Sequence, residues 1–448
     1  MTERRAQSTG ADVLRLAAAA DPFGHRVHMA LAVAWAFFLP LLMIPWAKDV
    51  ALVLLVIWSI ARVLFGGVRA AWGPIFSMPI TWFISAWGIW TCLSLAWSPA
   101  PDWGLEELRA FRSFLIPISL FPVLLHLRRV VMAFLIGVAI VNLIQIAQAV
   151  GIPGFAPAKP SLYYGWVAPN PGGLLIAAAF IAHIAWPIAE RRGRTAVWHV
   201  AGAALAALGL LLMLNRGSMV AATVGPAVIM VVALCVIPRA RVKVLLVATA
   251  LTFGVSVGLL IDDLALDGAA TTPVRNRIQL AMDDLGSAER FADKPLIKRS
   301  VTYRVEVWKA TIESVQKRPL CGIGLGGLWH AFEAHPEFTN TDRLEDGYRR
   351  VEADHKHAHN SWLFVSATTG LIGLALMLGT LGSGLAAEVR RMASQPIALV
   401  GFGIVVSWMV ANVFDSLILS GSTSQLLVLG LLAAWLPRSK GAVRAEDA

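Results

Sequence analysis

The chain has 448 residues, 57% of them hydrophobic and 15% charged, with 17 tryptophans and a formal net charge of +10. This composition excludes an ordinary soluble domain and indicates a polytopic membrane protein. The basic residues lie in short clusters between apolar runs. That is the positive-inside pattern rather than a nucleic-acid-binding surface.

Residues 1–27 are polar and basic, with Arg4, Arg5, Arg15 and Arg26, and read as a disordered cytoplasmic tail. The first apolar run follows them and is long enough to span, so it reads as a retained helix and not as a cleaved signal peptide. Apolar runs follow at 28–46, 50–66, 77–96, 109–126, 130–150, 170–189, 196–214, 217–237, 243–261, 359–384, 396–418 and 422–437. Each is near the roughly 20 residues that a helix needs to cross the hydrocarbon, which gives about twelve transmembrane helices. With the N-terminus inside, the clusters at Arg62, Arg128-Arg129, Arg191-Arg192, Arg239 to Lys243, Arg390-Arg391 and Arg438 all fall in inside connections. The expected arrangement is all-α: helices one to nine over 28–261, helices ten to twelve over 359–437, and a cytoplasmic tail over 438–448. Cys92, Cys235 and Cys321 are too far apart for a disulfide framework or a metal-ligand spacing.

Residues 262–358 break the pattern: they form a long polar segment on the outer side, which in a bacterium is the periplasm. Within it, Val305, Trp308, Ile312 and Val315 recur at helical spacing and predict an amphipathic helix ending at Arg318-Pro319. Gly322-Ile323-Gly324-Leu325-Gly326-Gly327 follows. It has neither the Walker nor the dinucleotide spacing and reads as a structural turn, with phosphate contact as the lesser alternative.

Several polar residues stand near the apolar runs. Arg216, in Asn215-Arg216-Gly217-Ser218, is either an arginine snorkelling to the headgroups or an anion site on the outer side. Arg304 opens the amphipathic helix, where most charges are simply solvated. Asn142, Gln145 and Gln148 share one helix face and are read, with His183, as interhelical hydrogen bonders. Asp415 stands near an outer helix end. His355, His357 and His359 alternate just before the tenth span, but no HExxH or cysteine pair completes a metal site beside them. His359 precedes Asn360 and Ser361, both good N-cap types. The positive end of a helix dipole favours neutral imidazole, the form that a general base needs.

Taken together, Asn215-Arg216-Gly217-Ser218, Arg304 with Trp308, Pro319-Leu320-Cys321-Gly322-Ile323-Gly324, His357-Ala358-His359-Asn360-Ser361-Trp362 and Gly370-Leu371-Ile372-Gly373 resemble the O-antigen ligase and polymerase superfamily of bacterial inner-membrane glycosyltransferases. The motifs cover about the second half of the chain. The position of the one long periplasmic loop resembles the ligases most.

The resemblance implies transfer of O-antigen from undecaprenyl diphosphate to lipid A–core in the periplasm, without metal or other cofactor. It implies His359 as general base and Arg216 and Arg304 as diphosphate ligands, with His357 and Asn360 as secondary candidates. Direct displacement with inversion is expected, since no paired carboxylate is placed to act as a nucleophile. An O-antigen polymerase or a protein O-oligosaccharyltransferase would use the same donor. A lipid-linked glycan transporter is the alternative from another class, favoured by midplane charges or two similar halves, neither of which is evident.

Overall fold

The computed structural model describes residues 10–66, 68–157, 163–190, 195–213, 215–237, 241, 243, 300–333 and 357–437. Every regular element among the described residues is a helix, which bears out an all-α polytopic membrane protein. The expected span 243–261 beyond its first residue, most of the long polar segment (His355 included), the Arg191-Arg192 cluster and the tail 438–448 lie outside the described residues.

The helices in chain order are α1 (Gly10–Ala20), α2 (Pro22–Phe38), α3 (Pro45–Leu64), α4 (Pro79–Leu93), α5 (Pro101–Leu108), α6 (Ile116–Leu120), α7 (Leu127–Ala149), α8 (Pro169–Ala189), α9 (Ala196–Met213) and α10 (Arg216–Val236). After these come α11 (Ser300–Lys317), α12 (Gly327–Glu333), α13 (Ser361–Val389), α14 (Ile397–Ala411) and α15 (Gly421–Leu431). Six helical stretches among the described residues are long and apolar enough to cross a membrane, or up to seven when a bent pair counts as one span.

The apolar runs are thus less evenly divided than twelve equal spans. The run at 109–126 is broken into 3₁₀ turns at Arg109–Leu115 and Phe121–His126 around the five-residue α6. Pro117 and Pro122 lack an N–H and interrupt the α-helical ladder there. Pro101–Ala149 nevertheless runs on as one apolar helical stretch, its α and 3₁₀ segments following without a gap. α14 and Gly421–Trp435 are apolar but shorter than the others.

Residues 10–20 also depart from the expected disordered tail. They form α1, which buries Ala11 and Leu14, and Gly10 sits against Pro74 and Pro437. The apolar pair at 11 and 14 is one helical turn apart, enough to dock one face.

α8 is the centre of the bundle. Leu174, Ala177, Ala178 and Ile181 are fully buried, and α9, α10 and α14 pack around it. Gly225 on α10 and Gly403 on α14 both face Ile181 with no room for a Cβ. Small residues at such crossings let backbones approach closely, the main source of helix association in lipid. The expected polar joints are present in part: Gln145 Nε2 donates to the Gly209 carbonyl of α9 (3.3 Å), whereas Asn142 Oδ1 has no partner among the described residues. Gln145 Nε2 donates to the Tyr163 carbonyl (3.0 Å), and Gln148 Oε1 accepts from the Gly165 N–H (2.9 Å). His183 and His199 meet at 3.0 Å between α8 and α9.

The two ends of α8 have different surroundings. At its C-terminus, Arg128 pairs with Glu190 (3.0 Å) and Lys243 donates to the Pro187 carbonyl (3.1 Å). Arg62 pairs with Asp21, and Arg391 donates to the Leu436 carbonyl, beside the Pro437 that Gly10 touches. At the N-terminus of α8, Asn170 meets Asn215 and Asp415. Twenty-one residues of α-helix separate these ends by about 30 Å. The described members of the short basic clusters therefore gather on one face of the bundle, while Arg216 and Asp415 stand on the other.

Candidate active site

Three helix termini converge on a cavity of about 340 Å³ whose walls include Asn170, Asn215, Arg216, Arg304, Phe414 and Asp415. The wall at α10 is held by ordinary capping chemistry. Asn215 is the N-cap of α10: its Oδ1 accepts from the Ser218 N–H (2.9 Å) and from the Ser218 hydroxyl (2.8 Å). The cap fixes where α10 begins, so the next residue, Arg216, stands exposed at its first position. α10 also presents its N–H dipole end there, which favours an anion.

Arg304 comes from α11, whose buried face differs from the expected one. Val305 and Ile312 are 37% and 43% exposed, whereas Val307, Ala310, Thr311 and Ser314 are buried. Thr311 and Ser314 hide their hydroxyls by donating to the Val307 and Ala310 carbonyls of their own helix. Two small, internally satisfied residues and an alanine let α11 approach α13 more closely than branched side chains would. Arg304 lies three residues before Val307 and seven before Thr311, so it extends that buried face by one turn toward the cavity.

Asp415, backed by His359, forms the third wall. Asn360 caps α13, its Oδ1 accepting from the N–H groups of Trp362 (2.9 Å) and Leu363 (3.0 Å). Its Oδ1 is thereby engaged as the cap of α13. The Asn360 N–H donates to Ser416 Oγ (3.1 Å), and the Ser361 N–H donates to the Asn412 carbonyl (2.9 Å). These bonds stitch the start of α13 to the turn after α14. His359 adopts a left-handed backbone with φ 47°, uncommon for a residue with a Cβ and costing on the order of 1 kcal/mol. This turn sets its ring against Asp415, with Nδ1 3.3 Å from Asp415 Oδ1.

His359 is not itself on the cavity wall; it reaches the cavity through Asp415. His357 packs edge-on against His359 at 4.4 Å between ring centroids. Asp415 is additionally bound by the Ser416 N–H (2.8 Å) and by Asn170 Nδ2, and Asn170 Oδ1 accepts from Asn215 Nδ2 (2.7 Å). An unbroken chain of side chains, Asn215–Asn170–Asp415–His359, thus links α10, α8, the α14–α15 turn and the start of α13. Burial pushes the Asp415 carboxyl up, but the His359 hydrogen bond, the His357 and His359 charges and the Ser416 N–H outweigh it and hold it below the usual aspartate range.

His357, His359 and Asp415 are also the one group among the described residues with the spacing to hold a metal ion, their ligand atoms lying within 4.8 Å of one another. Two imidazoles and one carboxylate are a donor set for zinc or manganese and not for magnesium, which prefers oxygen.

Asn170 had no sequence signal beyond its place between Pro169 and Pro171. Asp415 had only its position near an outer helix end. Both became visible when three helices were brought together. The glycine stretch has the structural part expected of it. The N–H groups of Ile323 and Gly324 donate to the Ala367 and Thr368 carbonyls, and that of Gly326 donates to Glu107. Those donors are occupied, and the segment fastens α11 and α12 to α13 and α5.

Residues 201–378 match a family model described as O-antigen ligase. That stretch contains Arg216, Arg304, His357 and His359. The exopolysaccharide production protein ExoQ of Rhizobium meliloti (strain 1021) is 23% identical over 330 residues, covering 72% of this chain and 69% of that protein. These matches support a relationship to the O-antigen ligase and polymerase superfamily. The superfamily comprises multi-pass membrane proteins of glycosyltransferase type acting on lipid-linked polysaccharides. Asn170 and Asp415 lie outside the segment matched by the family model and belong to the site by geometry alone.

Proposed function

We propose that this protein transfers O-antigen from undecaprenyl diphosphate to a sugar hydroxyl of lipid A–core, on the periplasmic side of the bacterial inner membrane with both termini in the cytoplasm. The observation that carries the reading is one cavity walled by Arg216, Arg304 and Asp415, with Asp415 bonded to His359. Two guanidinium groups from separate helices offer bidentate, permanent charge to a diphosphate. They also stabilise the negative charge that grows as it leaves.

The ionised Asp415 accepts from His359 Nδ1–H, which leaves Nε2 of the same ring as the acceptor of a proton. In the proposed step the acceptor hydroxyl oxygen attacks the anomeric carbon and its proton passes to His359 Nε2. The bond from that carbon to the phosphate oxygen breaks, and undecaprenyl diphosphate departs with the electron pair. Asp415 then stabilises the resulting imidazolium, as in other carboxylate-oriented histidine bases. A single displacement inverts the anomeric configuration. It calls for neither a covalent sugar–enzyme bond nor a metal ion.

Polymerisation is the second reading, favoured by the similarity to a protein named for exopolysaccharide production. The arginines and His359 would act alike there, with a lipid-linked glycan as acceptor. The acceptor decides between them. Purified protein is given undecaprenyl-diphosphate glycan together with rough lipopolysaccharide. Glycan appearing on lipid A–core establishes the ligase, whereas longer lipid-linked glycan with unmodified core establishes the polymerase. Transfer to neither rules out both.

A further inference from the structure

At the opposite end of the bundle from Asp415, a second cavity of about 330 Å³ opens between the starts of α2 and α7. His25, Arg26, His126 and Arg129 line it together with Met29 and Val33. The two imidazole rings stand 5.4 Å apart across it. Arg26 and Arg129 are exposed, and neither takes part in an ion pair with the described residues.

A buried cation lies next to this group. Arg62, 3% exposed, donates Nε–H to Asp21 (2.9 Å) and Nη1–H to His28 Nδ1 (3.2 Å), while its Nη2 has no acceptor among the described residues. Asp21 is the carboxylate near this cluster, and it is already engaged by Arg62. The neighbourhood is therefore positive and concave. Basic residues that merely set orientation need no cavity, since each can reach the headgroups separately.

The helix geometry indicates the shape of the occupant. Arg26, Met29 or Ala30, and Val33 follow at helical spacing, so they lie along one face of α2. A cation stands at the end of the helix, and an apolar stripe runs from it toward the membrane interior. A free inorganic anion would use the cation and leave the stripe idle; a phospholipid uses both. Basic pockets between transmembrane helices are a recurrent form of anionic headgroup site.

We propose that this cavity binds an anionic phospholipid in the leaflet opposite the active site, with Arg26 and Arg129 on its phosphate and an acyl chain along Met29 and Val33. The full-length protein, reconstituted in mixed phosphatidylcholine and phosphatidylglycerol nanodiscs and released for native mass spectrometry, retains phosphatidylglycerol preferentially. The R26Q/R129Q protein loses that preference by roughly tenfold or more, since each basic residue contributes several-fold near an anionic surface. R26K/R129K retains it, and R318Q, altered away from the cavity, matches the wild type. Should the double variant fail to fold, R26Q and R129Q singly show partial losses. Equal retention of both lipids by the wild type overturns the proposal. So does unchanged phosphatidylglycerol retention in a folded R26Q/R129Q protein. Displacement of the lipid by excess inorganic phosphate marks a site for free anions and overturns the lipid assignment.

Discussion

His359 and Asp415 stand 56 positions apart in the chain, yet their side chains meet at 3.3 Å, Nδ1 to Oδ1. The contact depends on α13 and α14 being tied together at Ser361 and Asn412. It gives His359 an orienting carboxylate from the turn between α14 and α15.

Asp415→Asn should lower transfer by about 10²- to 10³-fold while the protein still inserts, because the amide keeps the shape but not the charge opposite the imidazole. The pH dependence of this loss is informative. The folded-state pKa of Asp415 is lowered. Its carboxylate is therefore charged above the ordinary aspartate value near 3.9, and the charge is lost only as pH falls through a lower value. Asp415 itself should therefore add no titration step to the wild-type rate between about pH 5 and pH 8, where an ordinary aspartate is already ionised. Equal rates for wild type and Asp415→Asn at about pH 8 contradict the assignment.

Arg216→Ala and Arg304→Ala should each reduce kcat/KM for the lipid-linked donor by about 10²- to 10³-fold, the usual cost of removing a charge-stabilising donor. Lysine at either position should recover part of the loss, since it restores charge but not the bidentate fork. Initial rates against donor concentration check this. An effect confined to the acceptor KM would move the arginines off the diphosphate.

Gly370 tests the clasp that seats α11. Its φ is 72°, and an added Cβ would fall 2.0 Å from the Leu320 carbonyl oxygen. Gly370→Ala should destabilise the detergent-solubilised protein by roughly 2 kcal/mol or more, through backbone strain and overpacking together. Thermal unfolding reads this directly. Activity should fall too, although Gly370 is not on the cavity wall.

Chelation separates the two uses open to His357, His359 and Asp415. Transfer should be unchanged after dialysis against EDTA. Loss of activity on chelation, restored by zinc or manganese, would assign the cluster to a metal.

The sequence carried the membrane class and the placement of Arg216 at the end of the bundle away from the basic clusters, because apolar length and basic clusters are written in contiguous residues. It did not carry the division of 109–126 into short turns, where Pro117 and Pro122 act against an otherwise apolar run. Nor did it carry the buried face of α11. A period of large apolar residues selected Val305 and Ile312, whereas close helix approach used Ala310, Thr311 and Ser314. Asn170 and Asp415 were illegible as a pair, because they are 245 positions apart and become partners only when α8 and the end of α14 adjoin. The N-cap type of Asn360 is legible locally, and its two hydrogen bonds to the α13 N–H groups bear it out.

The most direct test is single-turnover transfer from a labelled undecaprenyl-diphosphate glycan by wild-type, His359→Ala and Arg216→Ala proteins at matched membrane content. Label should reach the acceptor rapidly with the wild type alone, both variants being inserted and folded but slower by about 10²-fold or more. Normal transfer by either variant would contradict the assignment of this cavity as the site of glycan transfer.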